Sequence, residues 1–599
     1  MKTFIQKLIR LWAIAAISCL GGLAYSNTFH ASFHSDDFHY ICDNTFIRNF
    51  AVLLQHWTFY PCRMVAFLSF ALNYHFNGLH ILGYHYFNMC VHLLSAIFVW
   101  WLTLLTLSTP AMKEDKITRH ADLIAFLAGM IFVTHPMQIE AVTYIWQRTA
   151  SMMAMFYLAS LCFYIKSRLS LKRNKIRIYY FISLITAILA MFTKENAITL
   201  PLMIVLYEFS FLNTKKHINW KYLSVFLLTL LIIPSVILLS SGKFLKAEAY
   251  VGENMPSPSD YLLTQFRVFL TYIRLLFVPQ NLPIGYAYPL SKSFLEFPVF
   301  ISFLTLACIF YSAVRLFSKY RLLSFGIFWF FLTLLPESSF LPLLDVFSEH
   351  RLYLPLAGYS LFLVGGMYYL LGKNNLKAMI LTMALIIGLN AILTYQRNKI
   401  WKNELTFWSH DLDKFPDNPK AYFNIGIWYF KCGNLPESIS AYSKTISLSS
   451  ESANAYINRG SDYYEEGRFD LALDDLNKAI AIKPDVATAF YTRGGIYVKL
   501  NNLPQAMSDY NKTIEIDPFF RSAYMNRGNI CLLQGDLTDA LSNYNKVIAI
   551  NPDAIGAYYN RAIVNYRLNR YGEVQSDMLK VKKLQANSNP NANNQSEID

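Results

Sequence analysis

Five short runs of ionisable residues in this chain could do chemistry. The first is His34-Ser35-Asp36-Asp37-Phe38-His39-Tyr40. Two adjacent carboxylates repel, which raises the proton affinity of at least one of them. A carboxylate tuned in this way can serve as a general base, an effect worth about 10²–10⁴ in rate; the same run also reads as a polar loop cap. The second is His135-Pro136-Met137-Gln138-Ile139-Glu140, followed by Arg148, where a substrate-binding acid and base and a buried ion pair are both open readings. The third, Lys194-Glu195-Asn196, is a tight connection that serves equally as a binding site or as a helix cap with a local salt bridge. The fourth is Glu349-His350-Arg351, whose cations can hold a phosphate through charge-assisted hydrogen bonds. The fifth is Arg63 with Tyr60, suited to steadying a phosphate or to anchoring at a membrane interface. The chain has no P-loop, no GxGxxG after a strand, no GxSxG and no zinc helix. Catalysis, if present, must come from these loops.

The elements that position them are apolar. Hydrophobic residues make up 54% of the 599 and charged residues 15%, against about 25% charged in an ordinary soluble domain. The deficit lies in the first 400 residues. A membrane span needs about 20 apolar residues, with about 17 tolerated. Eleven stretches qualify: 8–28, 84–107, 121–135, 149–166, 177–193, 197–212, 220–240, 295–313, 322–338, 352–371 and 376–394. The net charge of +14 points away from nucleic acid, because the basic residues sit in short connections such as 108–120 (Lys113, Lys116, Arg119), 166–176, 213–219 (Lys215, Lys216) and 314–321. That is the positive-inside bias of a membrane protein. With Lys2, Lys7 and Arg10 placing the N-terminus inside and the first apolar run as an uncleaved anchor, parity and charge agree. All five clusters then fall outside, and so does the C-terminal part. Two further apolar stretches, 64–76 and 262–278, do not fit the parity and are expected as interfacial or re-entrant helices. Cys42 and Cys62 share the first outer loop and can pair in an oxidising compartment.

From Pro419 the sequence repeats every 34 residues, starting again at Ala453, Ala487, Arg521 and Ile555. An aromatic ring recurs at Tyr422, Tyr456, Phe490, Tyr524 and Tyr558, a small residue at Gly426, Gly460, Gly494, Gly528 and Ala562, and proline at Pro484, Pro518 and Pro552. This is the tetratricopeptide (TPR) pattern of two antiparallel helices per repeat. The expected fold is all-α: a polytopic membrane helix bundle over 1–398, a linker over 399–418, five TPR repeats over 419–586 and a disordered tail over 587–599.

The run Asp36-Asp37 with Ile41 and Asn44 resembles the first outer loop of the transmembrane-and-TPR O-mannosyltransferases. So do His135-Pro136 with Glu140 and Arg148, Lys194-Glu195 before Pro201, and Glu349-His350-Arg351-Leu352-Tyr353-Leu354-Pro355. The resemblance covers nearly the whole chain. It implies a GT-C fold and a polyprenyl- or dolichyl-phosphate sugar donor. It also implies transfer of a hexose, mannose in the family, to Ser or Thr of an acceptor protein chosen through the TPR repeats. Under it Asp36 is the catalytic base and Asp37 orients it. Glu140 binds acceptor or sugar, and Arg63, His350 and Arg351 hold the donor phosphate. Arg148, Lys194, Glu195 and Glu349 complete the substrate-binding set. Met64 stands where a proline commonly follows the arginine. No cofactor beyond the lipid-linked donor is implied; the two carboxylates could bind a divalent metal, which most relatives of the mannosyltransferase type do not need. The expected location is a bacterial inner membrane with periplasmic repeats, or an endoplasmic-reticulum membrane with lumenal ones. Two other readings stay open: a non-enzymatic TPR scaffold for envelope complexes, and a sugar transferase acting on glycans or lipids.

Overall fold

Apolar helices dominate the computed structural model, which describes residues 2–55, 57–212, 220–240, 256–280, 288–339, 342–343 and 345–588. Lys215 and Lys216 lie outside the described residues, as do 241–255 and 281–287 of the long segment 241–294 and 589–599 of the expected tail. The chain divides into two compact units, Met1–His410 and Asp411–Asp599.

In the first unit ten helices are long and apolar enough to cross a membrane: Phe4–Ala24, Ile81–Leu107, Lys116–Thr134, Ile145–Leu169, Arg173–Met191, Glu195–Leu212, Tyr222–Leu239, Phe297–Leu316, Pro355–Gly372 and Leu376–Lys402. Arg321–Leu334 is apolar but shorter. These eleven cover the eleven stretches expected from composition. The third expected span, 121–135, is short by itself. It gains length from a 3₁₀ turn, Lys116–His120, whose start is capped by Asp115 accepting the Ile117 amide at 3.1 Å. Glycine allows one close helix crossing. A Cβ on Gly326 would lie 2.7 Å from the Gly358 carbonyl oxygen, and one on Gly358 2.6 Å from the Trp329 ring. Arg321–Leu334 and Pro355–Met367 therefore meet backbone to backbone, the small-residue device of helices that pack in lipid.

The two stretches that broke parity fold as helices Met64–Asn77 and Pro258–Phe277. Neither is among the ten. Their polar positions are used inward: Ser69 and Asn73 accept from Arg148, and Tyr261, Gln265 and Tyr272 donate to the carbonyls of Glu337, Val346 and Ser348. The stretch 399–418, expected as a linker, is ordered, and its first half belongs to the first unit. A 3₁₀ turn Lys399–Lys402 and a helix Glu404–Leu412 occupy it. Trp401 is buried in the large core, with Phe407 packed against it. Aromatic area of that size is too costly to leave in water.

The second unit is a run of antiparallel helix pairs, Pro419–Lys431 with Leu435–Leu448 through Ile555–Arg567 with Tyr571–Ser588. The last helix covers the start of the Asn/Ser-rich stretch. The turn inside each pair needs one left-handed residue. Gly433, Gly467 and Gly535 supply it, and Asn501 and Asn569 stand in at φ 57°, as the non-glycine residue that best tolerates that region.

Candidate active site

The loop bearing Asp36 and Asp37 is held from three sides. Asp37 is fully buried. Its Oδ2 accepts the His34 amide at 2.9 Å and its Oδ1 the Trp146 amide at 2.7 Å. Burial pushes its carboxyl well above the usual range, with Asp36 and Glu404 adding to the rise against those two amide bonds. Asp36, one residue earlier, is exposed. Its amide donates to the Tyr144 hydroxyl at 2.9 Å. Ser35 carries φ 39°, a left-handed value uncommon for a serine. Its amide is secured by Glu404 Oε1 at 2.6 Å. The two carboxylates thus differ sharply: one is locked inside the turn and the other is presented by it.

The segment from Glu140 to Trp146 ties this loop to a second cluster. Glu140 Oε2 accepts the amides of Glu349 and His350 at 2.9 and 3.0 Å, capping the 3₁₀ turn Glu349–Leu352, while its Oε1 meets His350 Nδ1 at 2.8 Å. Burial pushes the Glu140 carboxyl up, but the His350 ring and amide and the Arg397 charge bring it below the usual range. Glu349 is gripped at both oxygens by Arg397, at 2.6 and 2.7 Å. With Nδ1 committed to Glu140, His350 makes no hydrogen bond through Nε2 among the described residues, which leaves that nitrogen for a ligand.

The remaining cations are paired within the protein. Arg63 meets Glu195 Oε1 at 2.7 Å and lies over the Trp146 ring, which stacks on Tyr40 at 3.9 Å. Lys194 Nζ is 2.8 Å from Glu337 Oε1. Burial opposes ionisation of Glu337, but Lys194, Arg351 and the nearby His350 hold its carboxyl at about 2. Arg351 is buried and donates to the carbonyls of Glu337, Asp345 and Val346 and to the Tyr261 hydroxyl. Arg148 is buried too, bonded to Asn88, Ser69, Asn73 and the Tyr84 carbonyl, with its guanidinium facing the Phe70 and Phe87 rings.

Nine of the ten residues singled out by sequence thus fall into clusters linked by hydrogen bonds, ion pairs and ring contacts, with Asp36 and His350 presenting groups and Asp37, Glu140, Glu349 and Arg351 building the walls. Arg148 alone is an internal strut. Sequence reasoning missed Glu337, Arg397, Tyr144 and Glu404. Glu337 and Arg397 carried a signal, each an ionisable residue at the end of an apolar stretch. Tyr144 and Glu404 carried none. Among the described residues no three metal-type side chains converge.

A bundle with ten helices long and apolar enough to cross a membrane, loops that carry linked ionisable clusters, and a run of TPR helix pairs fits one class: a multi-pass membrane protein with a C-terminal repeat domain. Family models described as TPR repeat match residues 460–500 and 528–569, and one described as tetratricopeptide repeat matches 487–520. A protein O-mannosyl-transferase of Caenorhabditis elegans is 27% identical over 461 residues, covering 70% of this chain and 59% of its own length. The human protein O-mannosyl-transferase TMTC4 is 24% identical over 491 residues, covering 72% of this chain and 66% of its own. The chain therefore spans less than two thirds of the length of these relatives. The crystal structure of MamA covers 27% of this chain and 96% of its own at 21% identity, with a TM-score of 0.26. The homologues of this chain are transmembrane-and-TPR protein O-mannosyl-transferases.

Proposed function

We propose that the chain is a GT-C-type membrane glycosyltransferase that moves a hexose, mannose by its homology, from a polyprenyl-phosphate carrier to Ser or Thr of proteins on the outer face. The observation that carries this reading is the split of the acidic pair, with Asp37 locked in the turn and Asp36 exposed beside it. Asp36 takes the proton from the acceptor hydroxyl as its oxygen bonds to the anomeric carbon. The bond from that carbon to the lipid phosphate breaks, and the phosphate leaves with the electron pair. One displacement inverts the centre, and one base suffices because phosphate is a good leaving group. His350 holds the donor phosphate through Nε2, with Arg63, over the Trp146 ring and paired with Glu195, as a second cation. Glu140, which fixes the His350 ring, and Lys194, Glu195, Glu349 and Arg351 hold the clusters in shape. The TPR repeats bind the acceptor protein. The location is a bacterial inner membrane with the repeats in the periplasm, or the equivalent arrangement facing the endoplasmic-reticulum lumen.

The test is mass spectrometry of envelope and secreted proteins from cells lacking the gene, complemented with wild type or with Asp36→Asn. The expected result is loss of Ser/Thr-linked hexose that only wild type restores, with turnover of the variant down at least about 100-fold. Full restoration by Asp36→Asn, or an unchanged protein glycan profile in the deletion, would sink the catalytic reading and leave a TPR scaffold as the better account.

A further inference from the structure

The repeat unit contains a ladder of buried-edge arginines with one broken rung. Arg459, Arg493, Arg527 and Arg561 hold the same position in repeats two to five. In three of them the guanidinium closes two bonds on an aspartate of its own repeat. Arg459 Nε and Nη2 meet Asp475 at 2.7 and 2.8 Å, Arg493 meets Asp509 at 2.8 and 2.7 Å, and Arg561 meets Asp577 at 3.0 and 2.5 Å. In the fourth repeat the aspartate is replaced by Asn543. Arg527 Nε still donates to Asn543 Oδ1 at 2.8 Å and Nη1 to Asn511 at 2.7 Å. The Asn543 amide nitrogen, which cannot accept, turns to the Asp539 carbonyl at 2.8 Å. Nη2 of Arg527 is left without the bond that its three counterparts make, and the positive charge without its carboxylate.

A second cation stands beside it. Lys444, Lys478 and Lys580 lie over the rings of Tyr422, Tyr456 and Tyr558, and Lys512 pairs with Glu515 at 2.8 Å. Lys546, the member of this series in the fourth repeat, makes neither kind of contact among the described residues. Arg527 and Lys546 line one cavity of about 350 Å³ with Tyr524, Ser542 and Asn545, and among the described residues no acidic side chain lines it. Arg527 lies over the Tyr524 ring as its counterparts lie over theirs but lacks their carboxylate, and with Lys546 and the hydroxyl and amide donors around them it forms an oxyanion site.

We propose that this cavity binds a carboxylate of an acidic segment in a partner protein. The sister repeats show the ligand chemistry directly, since each of their guanidinium groups is already closed by a carboxylate. An incoming carboxylate bonds Arg527 Nη2 and Lys546 Nζ, while Ser542 and the Asn545 amide complete its shell. Phosphate would satisfy the charge, but the geometry repeated along the ladder is that of a planar two-oxygen acceptor.

The site is separate from the transfer chemistry, and its test reads binding without turnover, so either proposal can fail alone. Full-length protein in detergent micelles is titrated against a short fluorescein-labelled peptide rich in aspartate and against its asparagine twin, with anisotropy as the readout. Wild type is expected to prefer the aspartate peptide by about tenfold, the size of one charge-assisted bond. Asn543→Asp supplies the carboxylate from within. It is expected to abolish that preference while raising the unfolding midpoint of the repeats, which shows that the variant is folded. Lys546→Ala, a surface change, should also reduce the preference. Equal binding of both peptides to wild type, or full preference retained by Asn543→Asp, would overturn the proposal. So would displacement of the peptide by inorganic phosphate but not by acetate.

Discussion

Asp36 and Asp37 are neighbours in sequence and opposites in environment. A buried carboxylate accepting two amide hydrogens is a construction element, and Asp37→Ala leaves the His34 and Trp146 amides without acceptors. Each orphaned buried N–H costs about 1–3 kcal/mol, so the variant is expected to melt well below wild type in a thermal scan, whereas Asp36→Asn should melt close to it. Glu337 gives a pH prediction. Its folded value is depressed to about 2 from an ordinary 4.5 by Lys194 and Arg351. A depressed carboxylate contributes stability that is present above the unfolded value and lost as pH falls through the folded one. Wild type should therefore lose stability between about pH 4.5 and 2. Glu337→Gln should be less stable at neutral pH and show a shallower acid slope; an unchanged slope would show that the pair does not couple to folding.

At the scale of elements, the segment just after the last apolar helix does more than connect. Glu404, on the helix Glu404–Leu412, holds the Ser35 amide in its left-handed turn, and Trp408 Nε1 donates to the same carboxylate at 2.9 Å. Strained residues persist only where their surroundings fix them. Glu404→Ala frees the turn that presents Asp36, and turnover is expected to fall by about 10- to 100-fold. Glu404→Gln keeps an oxygen at the same place and should retain most of the activity. Equal loss in both variants would mean that the charge of Glu404, rather than its grip on the turn, is what matters. The helices Met64–Asn77 and Pro258–Phe277 act in the same spirit, supplying acceptors to Arg148 and donors to the 337–351 loop.

At the scale of the whole molecule, the proposed orientation places the clusters around Asp36 and His350 on one side of the membrane and Lys113, Lys116 and Arg119 on the other. Single cysteines introduced at Ser35 and Lys113 in a cysteine-free background test this with an impermeant maleimide. The Ser35→Cys variant is expected to label in intact cells and Lys113→Cys only after permeabilisation. The reverse pattern would invert the topology and remove the outer-face site.

The sequence by itself determined the all-α class, the eleven apolar stretches and the 34-residue repeat, because each is written in local period and composition. A span is a run of apolar residues, and a TPR helix pair is fixed by residues within one repeat. It also singled out most of the ionisable residues that the structure brings into linked clusters, since ionisable residues between apolar runs need partners. Tertiary structure alone decided which of them pair. That Asp37 is locked and Asp36 presented depends on the Trp146 amide, 109 positions away. Arg148 becoming an internal strut depends on acceptors from two other helices. Glu404 and Tyr144 joined the site only once chain ends far apart in sequence were brought together. Side-chain pairing in a membrane bundle is set by which helix faces meet, and no local pattern in the chain encodes that.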